Sequence, residues 1–359
     1  MFIKDLGWDA YFEAQWNADD RGMCVPARVV AQQRGMWRLA GGFEECWAEP
    51  SGRLRLEAEV GGDWPAVGDW LAAQNCIGGT RAIIETVLPR RGKFSRKVAG
   101  KRAAEQVIAA NVDKAVVVAG LDGDFNVRRM ERYLAQCWDS GARAVLVLNK
   151  ADACQSAREY VEQAEAIAMG AMVYVLSARS GEGVESFERS LARGETVVFL
   201  GSSGVGKSTL VNRLLRQDRQ TTAAVRESDN RGRHTTTARE LLVLPNGAIV
   251  IDTPGLRELQ LWEAEEGVGR AFADIAELAH QCKFRDCTHQ NEPGCAVQAA
   301  LQNGALDSGR FENLRKLERE QEFLLRKLDP EKQQEYRKRI KILFRAIRNN
   351  VQSKRKNQD

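Results

Sequence analysis

One stretch of the sequence limits the possible folds of this chain more than any other. Residues 195–215 read "ETVVFLGSSGVGKSTLVNRLL", an apolar run followed by a glycine-rich loop and a helical pattern. Glycines let backbone N–H groups curl around phosphates, and the lysine and the helix N-terminus add positive charge. The stretch therefore predicts an α/β domain that binds a nucleoside triphosphate, with Ser208 also a ligand of Mg²⁺. The predicted phosphate-loop residues are Gly201, Ser202, Ser203, Gly204, Val205, Gly206, Lys207, Ser208 and Thr209.

A second pattern predicts which base is bound. One apolar run ends in "NKAD" at 149–152, and the next ends in "SAR" at 177–179. The Asp152 carboxylate can accept two hydrogen bonds from the N1–H and the exocyclic amine of guanine, a pair that adenine cannot offer. Alone, "NKAD" is also typical of a capped turn, but together with "SAR" it favours a guanine site in which the Ala178 N–H reaches the guanine carbonyl. The predicted base-binding residues are Asn149 as a polar contact, Lys150 along the ring, Ala151, Asp152, Ser177 and Ala178.

Two further segments complete the pattern of a GTP-binding domain. Asp252-Thr-Pro-Gly255 follows an apolar strand, so Asp252 is expected to hold Mg²⁺ and Gly255 to meet the γ-phosphate. The segment "RHTTT" at 233–237 offers hydroxyl groups from a loop. Its Thr236 and Thr237 are predicted to act in catalysis, and which of its threonines meets Mg²⁺ stays open.

The order of these segments along the chain is unusual. The base-binding segments come first, the phosphate loop follows, and the two loops that would face the γ-phosphate come last. Because the termini of compact domains are often adjacent, a sheet can be cut and rejoined without moving its strands in space. The order therefore predicts a circularly permuted GTPase. It also predicts that the second switch, 252–262, leads straight into the C-terminal region, so that nucleotide state can move that region.

The first hundred residues are predicted to form a small β-barrel. Apolar and β-branched runs alternate with Gly, Pro and Asp turn signals: "ARVVAQQ", "MWRLAG", "RLRLEAEV", "GDWLAA" and "AIIETVL". Six of the eight tryptophans lie between Trp8 and Trp70. They can form a stacking surface for single-stranded RNA, as on OB barrels, or fill the barrel core, and the core interpretation is preferred for most of them.

The C-terminal region contains a predicted metal site. It supplies three thiolates and one imidazole within fourteen residues of a polar loop, from Cys282, Cys287, His289 and Cys295. Four such ligands, with no open position, are typical of a structural Zn²⁺ site. His280 lies nearby, but its spacing places it outside the quartet.

Charge and cysteine usage add weaker constraints. The net charge is only +4, yet residues 90–102 hold seven basic side chains and no acidic one, and the segment from Tyr336 to the C-terminus is similarly basic. Such runs are solvated faces or contacts to a polyanion, and both interpretations stay open. The five cysteines outside the quartet are scattered and are expected to be reduced. No secretory signal or membrane-spanning run is evident, which predicts a cytoplasmic protein without membrane contact.

The permuted order of "NKAD", "SA", "GSSGVGKST", "GRHTTT" and "DTPGL", between a β-rich region and a cysteine cluster, resembles the small ribosomal subunit biogenesis GTPases of the RsgA (YjeQ) family. The resemblance implies an OB-type β-barrel over 1–105, a permuted GTPase domain over 106–270, and a helical zinc-binding domain with a basic tail over 271–359. It also implies late maturation of the small ribosomal subunit, with rRNA as partner and hydrolysis stimulated by that subunit. A monomer is expected.

The position of the usual catalytic glutamine is occupied by a different residue in this chain. Many small GTPases place a water-orienting glutamine where this chain has Leu256, so another group must act. His234 is the nearest candidate, and it can instead pack or contact rRNA. The other predicted catalytic residues are Lys207, Thr236, Thr237, Asp252 and Gly255.

The alternative function is an RNA-binding assembly factor that uses GTP only as a conformational ligand. An ATPase or kinase is disfavoured, because "NKAD" and "SAR" would then be coincidental.

Overall fold

The computed structural model describes residues 2–18, 22–33, 35–61, 63–75, 81–97, 105–218, 239–252 and 265–328. The predicted His234, Thr236, Thr237 and Gly255, together with Leu256 and the basic C-terminal tail, lie outside these ranges. No helix in the described ranges is long and apolar enough to cross a membrane.

The N-terminal strands close into a five-stranded barrel. Strands β1 to β5 pair in the order β1-β2-β3-β5-β4, and β4 pairs back to β1. The β3–β5 pair is parallel and the other pairs are antiparallel. A barrel of this size and strand number is the OB type that the sequence predicts. The elements are α1 (Ala10–Asn17), β1 (Val25–Gln33), β2 (Met36–Gly41), β3 (Cys46–Pro50), α2 (Gly52–Gly61), β4 (Trp70–Asn75) and β5 (Arg81–Val87).

The prediction of a strand at "RLRLEAEV" is wrong, because this run lies within helix α2. Its apolar residues alternate with polar ones, which satisfies a strand pattern, but alternate residues are not equally buried. Leu54 and Ala58, four residues apart, are buried, whereas Leu56 and Val60 are exposed. The spacing of four places one helical face on the barrel, and β3, which the sequence analysis missed, supplies the strand instead.

The tryptophans mainly form the barrel core. Trp8, Trp37 and Trp70 are buried, which confirms the preferred interpretation for these three residues. The rings of Trp8 and Trp70 meet edge to face with centroids 4.8 Å apart, and Trp64 stacks on Trp37 at 6.1 Å. Trp37 Nε1 also donates a hydrogen bond to the Pro65 carbonyl at 2.7 Å, which satisfies its polar atom inside the core.

The central part of the chain forms the predicted parallel α/β sheet. Its strands lie in the order β10-β9-β8-β11-β13-β12, and only β12 is antiparallel to its neighbour β13. After β10, at one edge, the chain returns to the middle of the sheet at β11, as the permuted order requires. The elements are β8 (Lys114–Gly120), α3 (Val127–Asp139), β9 (Arg143–Asn149), α4 (Arg158–Ala168), β10 (Met172–Val175), α5 (Val184–Arg189), β11 (Thr196–Leu200), α6 (Lys207–Leu215), β12 (Arg239–Val243) and β13 (Ile249–Asp252).

The barrel and the α/β sheet are joined by hydrogen-bonded strands. Ala31 and Gln32 of β1 pair with Glu240 and Arg239 of β12. The antiparallel β12–β13 hairpin is therefore not at an edge of the sheet, because the barrel continues it. A second hairpin, β6 (Lys93–Lys97) with β7 (Glu105–Ala110), spans the predicted domain boundary between residues 105 and 106.

A buried arginine fastens the same junction. Arg28 of β1 donates hydrogen bonds to the Leu6 carbonyl, to the Gly68 carbonyl at 3.1 Å and to Thr196 Oγ1 of β11 at 2.9 Å. Its guanidinium lies 5.5 Å from the centre of the Trp70 ring. The N-terminal segment, the barrel and the α/β sheet therefore share one polar centre that no short sequence motif indicates.

The C-terminal region is helical, as predicted, and packs on the α/β domain. Helix α7 lies against α3, and a separate core contains Val268, Phe272, Ile275, Val297 and Leu317. The predicted boundary between residues 270 and 271 falls within α7. The elements are α7 (Glu265–Ala271), α8 (Ala273–His280), α9 (Ala296–Gln302) and α10 (Ser308–Leu328).

Candidate nucleotide site and metal centre

The phosphate loop lies directly after β11, in the middle of the sheet. Gly201, Gly204 and Gly206 all have positive φ angles, of 140°, 80° and 96°. A Cβ atom at Gly201 would collide with the Val118 carbonyl of β8, and one at Gly206 would collide with the Asn149 side chain. Gly201 and Gly206 are therefore required both by backbone conformation and by close packing. Ser203 and Gly204 are exposed at the tip, where a ligand can approach.

Lys207 begins helix α6 and points back into the loop. Its Nζ lies 2.6 Å from the Gly201 carbonyl and 2.5 Å from the Ser202 carbonyl. Ser208 and Thr209 follow in the first helical turn, where backbone N–H groups and the helix dipole favour an anion. The loop thus gathers a lysine charge and a helix N-terminus at the place where the sequence predicts phosphates.

Asn149 links the base-binding segments to the phosphate loop. Its buried side chain donates from Nδ2 to the Val205 carbonyl at 2.7 Å and accepts at Oδ1 from the Ala178 N–H at 2.8 Å. The sequence assigns Asn149 and the Ala178 N–H to contacts with guanine, whereas here they bond to each other. Asn149 therefore aligns three segments that are far apart in sequence.

Asp152 and Lys150 are each oriented by a partner. Asp152 is exposed, and its Oδ1 accepts a hydrogen bond at 2.6 Å from Ser177 Oγ, which is itself buried. Lys150 has a φ of 68°, and its Nζ donates to Asp122 Oδ2 at 2.5 Å. Partial burial raises the pKa of Asp122, but the hydrogen bonds from Lys150 and the Asp124 N–H, together with the Lys150 charge, leave the pKa below the ordinary value. The Asp152 carboxylate and the Lys150 side chain are thus held at one edge of the sheet.

Asp252 ends β13, where Leu241 and Glu240 of β12 pair with Ile251 and Asp252. The carboxyl end of β13 lies on the same side of the parallel sheet as those of β9 and β11, from which Asn149 and the phosphate loop emerge. Asp252 is therefore at the sheet edge where nucleotides bind in such folds.

Two arginines near the site were not predicted from the sequence. Arg129, in the first turn of α3, donates from Nη1 to Ser202 Oγ and to Asp124 Oδ1, the latter at 2.7 Å. Arg213 of α6 donates to the carbonyls of Ala178 and Arg179 at 2.7 and 2.6 Å. No local sequence motif indicates either contact, because each contact joins segments that only the folded sheet brings together.

The C-terminal cysteines and histidine converge as predicted. Cys282 follows α8, Cys295 caps α9, and the ligand atoms of the four predicted residues all lie within 4.8 Å of one another. The distance between the sulfurs of Cys282 and Cys295 is 3.8 Å, and His289 Nδ1 lies 3.6 and 3.4 Å from these sulfurs. A tetrahedral zinc ion with ordinary bond lengths requires roughly 3.8 Å between sulfurs and roughly 3.6 Å between sulfur and nitrogen. The group can therefore hold a metal ion of this kind.

The loop that carries these ligands is ordered by its own polar groups. Glu292 accepts hydrogen bonds from Thr288 and from the backbone N–H groups of Gln290 and Asn291. These bonds hold the pKa of Glu292 at about 2. Gln298 Nε2 donates to the His289 carbonyl at 2.6 Å. His280 ends α8 and is not one of the four converging residues, as the sequence predicts.

Much of the basic segment 90–102 serves the fold. Arg90 forms a bidentate ion pair with buried Asp69, in which Nε and Nη2 each lie 2.7 Å from a carboxylate oxygen. Arg91 pairs with Asp9 and Asp113. Lys93 pairs with Glu105, and Arg96 donates to Gln106. The first four of the seven basic side chains thus have partners within the chain, a role in the fold that neither sequence interpretation of this segment included.

Comparison with known proteins places this architecture in a family. A family model described as RsgA GTPase matches residues 87–262. A protein of Opitutus terrae named small ribosomal subunit biogenesis GTPase RsgA is 45% identical over 357 residues, which span 97% of each chain. The chain belongs to the RsgA GTPase family. An RsgA 2 of Vibrio parahaemolyticus is 44% identical over 321 residues, or 89% of this chain and 86% of that protein.

Solved structures agree with the RsgA assignment. The crystal structure of YjeQ from Thermotoga maritima has a TM-score of 0.62 at 27% identity and covers 84% of this chain and 99% of its own. The structure of YloQ, described as a circularly permuted GTPase, has a TM-score of 0.57 at 22% identity and covers 82% and 93%, which supports the fold. The predicted resemblance and fold class are confirmed: an OB-type barrel, a permuted RsgA-type GTPase domain and a helical domain with a metal-binding group.

Proposed function

We propose that this chain is a GTP hydrolase that acts in late maturation of the small ribosomal subunit. The observation that carries the proposal is the Asn149 link, which holds the "NKAD" and "SAR" segments in fixed register with the phosphate loop. A guanine-selective loop that is hydrogen-bonded to a phosphate loop in this way is expected to bind GTP. The relatives' names, which include small ribosomal subunit biogenesis, support the process in which the activity is used.

The nucleotide would be held as follows. Asp152 would accept from the guanine N1–H and amine, with Ser177 fixing the orientation of its carboxylate. Lys207 would leave the two loop carbonyls for the phosphates, because a phosphate oxygen is a stronger partner for an ammonium group. Ser208 and Asp252 would hold Mg²⁺, which supplies neutralisation of phosphate charge when bound.

The catalytic assignments complete the proposal. Gly255 would meet the γ-phosphate, and Thr236 and Thr237 would supply hydroxyl groups from the "RHTTT" segment at 233–237. His234 would orient the attacking water, since Leu256 occupies the position where many GTPases carry glutamine. A hydrolytic site that lacks that glutamine is expected to be slow until a partner completes it.

The partner is proposed to be the small subunit and its rRNA. The chain binds the subunit as a monomer in the cytoplasm when GTP is bound, and hydrolysis releases it. The basic C-terminal tail, rather than Arg90 and Arg91, supplies positive charge for rRNA, since those two arginines are occupied by carboxylates. A structural zinc ion at Cys282, Cys287, His289 and Cys295 keeps the C-terminal loop in shape.

The test is the rate of GTP hydrolysis by the full chain, with and without purified small subunits. We expect slow turnover of GTP alone, a large increase with subunits, and no comparable turnover of ATP. Lys207→Ala should abolish GTP binding, whereas Lys93→Ala, which removes a lysine paired with Glu105, should leave it unchanged. GTP binding without any stimulation by subunits would overturn the enzymatic proposal and favour an RNA-binding assembly factor.

A further inference from the structure

Helix α3 touches the phosphate loop at its first turn. The N-cap residue Asn126 accepts a hydrogen bond from the Arg129 N–H at 2.9 Å, which fixes the start of the helix. From there, Arg129 Nη1 reaches both Ser202 Oγ and Asp124 Oδ1. Among the described residues, Nε and Nη2 of Arg129 have no partner. The Arg129 side chain thus holds Ser202, the residue that directly follows Gly201, through a single nitrogen.

A different face of α3 is fixed to the C-terminal domain through Glu131. This carboxylate is only 1% exposed and accepts hydrogen bonds from three donors. Arg310 donates at 2.6 Å and Asn313 at 2.7 Å, both from α10, and Arg128 donates at 2.9 Å from within α3. A buried carboxylate with this many donors cannot separate from them without leaving a charge unpaired.

Arg310 extends the same contact across the C-terminal domain. Its Nε and Nη2 bind both oxygens of Asp274 in α8, at 2.8 and 2.7 Å, and Nη2 also donates to the Ala271 carbonyl at 2.8 Å. The guanidinium lies 4.8 Å from the centre of the Phe272 ring. One arginine thus joins α7, α8 and α10 to the carboxylate on α3, and the C-terminal helices are expected to move with α3 as one body.

The two contacts are close together on a rigid element. Arg129 and Glu131 are two residues apart, about 3 Å along the helix axis, and residues at this spacing point in different directions. Because both belong to one rigid helix, a shift of α10 that carries Glu131 must also carry Arg129. A displacement of about 1 Å is enough to lose a hydrogen bond and to misplace groups in a catalytic site.

We propose that Arg129 is a positioning residue for the phosphate loop and that the C-terminal domain sets its position through the Glu131–Arg310 contact on α3. The inference rests on the proposed GTPase activity and deepens it. It gives the C-terminal domain a route to the nucleotide through packed side chains, separate from the chain connection at 253–264. A partner that tilts the C-terminal domain would thereby adjust the phosphate loop.

A mutant cycle in the full chain tests the proposal. The variants are Arg129→Ala, Arg129→Lys, Glu131→Gln and the double variant Arg129→Ala with Glu131→Gln. The control is Arg189→Ala, which removes an exposed arginine paired with Glu185 on its own helix. Each protein is assayed for the rate constant of single-turnover GTP hydrolysis and for the Kd of GTP, and its zinc content and circular dichroism are measured to verify folding.

We expect Arg129→Ala to lower the hydrolysis rate constant about tenfold while the Kd of GTP changes by less than about threefold. Arg129→Lys can still donate to Ser202 and should stay within about threefold of wild type. Glu131→Gln should also slow hydrolysis, and the double variant should be no slower than Arg129→Ala, since both changes act through one contact.

Two results would overturn the proposal. One is an Arg129→Ala protein that hydrolyses GTP at the rate of the Arg189→Ala control. The other is a double variant whose loss equals the product of the two single losses, because independent effects multiply. Failure of the proposed function has a different signature, since wild type itself would then bind GTP without hydrolysis that small subunits stimulate.

Discussion

Asn149 offers the sharpest mutational test of how the nucleotide site is assembled. The Asn149→Ala change removes both side-chain hydrogen bonds, to the Val205 carbonyl and from the Ala178 N–H. Val205 and Ala178 are each no more than 2% exposed, so their backbone groups do not gain water easily in exchange. The phosphate loop and the base-binding segments would then lose the link that holds them in register.

The expected magnitude follows from the two lost bonds. Each buried hydrogen bond contributes about 1 kcal/mol net, so the aligned arrangement should lose about 2 kcal/mol relative to misaligned ones. The apparent Kd of a ligand rises as the fraction of binding-competent protein falls. A change of about 2 kcal/mol corresponds to a rise in the Kd of GTP of up to about 30-fold, because about 1.4 kcal/mol is a factor of ten.

The assay is a titration with a fluorescent guanine nucleotide, together with thermal unfolding. Asn246→Ala is the matched control, because Asn246 also bridges backbone groups, those of Glu188, Leu191 and Ala248, but at the β12–β13 turn. We expect both variants to unfold at lower temperature and only Asn149→Ala to lose GTP affinity. A Kd within about twofold of wild type for Asn149→Ala would show that Asn149 does not align the site, since two lost bonds should have a larger effect.

Three further changes test the base, metal and catalytic assignments. Asp152→Asn replaces an acceptor with a donor and should weaken GTP while favouring xanthosine triphosphate in competition titrations, and unchanged GTP affinity would remove Asp152 from base recognition. Cys287→Ser should lower the zinc content, measured by metal analysis, from about one ion per chain and should loosen the C-terminal helices with little effect on GTP binding, whereas a metal-free wild type that is fully folded would contradict the zinc assignment. His234→Ala should lower subunit-stimulated turnover by roughly a hundredfold at nearly constant GTP affinity, and unchanged stimulated turnover would exclude His234 from the mechanism.

The parts of the fold that sequence reasoning predicts are those with local signals. Helix α6, Lys207–Leu215, follows the glycine-rich loop as the helical pattern there predicts, because the phosphate loop fixes where that helix starts. The permuted sheet follows from motif order, since each motif occupies a known position at the sheet edge. The metal quartet follows from residue type and spacing, and the ligand atoms converge as expected.

The parts that it does not predict depend on tertiary contacts. Alternation in "RLRLEAEV" satisfies a strand and a helix equally, and only the barrel surface decides that Leu54 and Ala58 are buried together. The β1–β12 pairing, the Arg129 brace and the Glu131–Arg310 contact each join segments more than seventy residues apart. Basic side chains in 90–102 show the same limit, because Asp69 and Asp113 are distant in the chain from the arginines that they pair with.

Under the proposed function, nucleotide state controls association with the small ribosomal subunit. The most direct test is the Kd of the full chain for purified small subunits, measured with a non-hydrolysable GTP analogue and with GDP at two salt concentrations. We expect tight binding with the analogue, weaker binding with GDP, and a steep loss of affinity in both states as salt rises, because phosphate contacts release counterions. Equal affinity in the two nucleotide states would contradict this expectation.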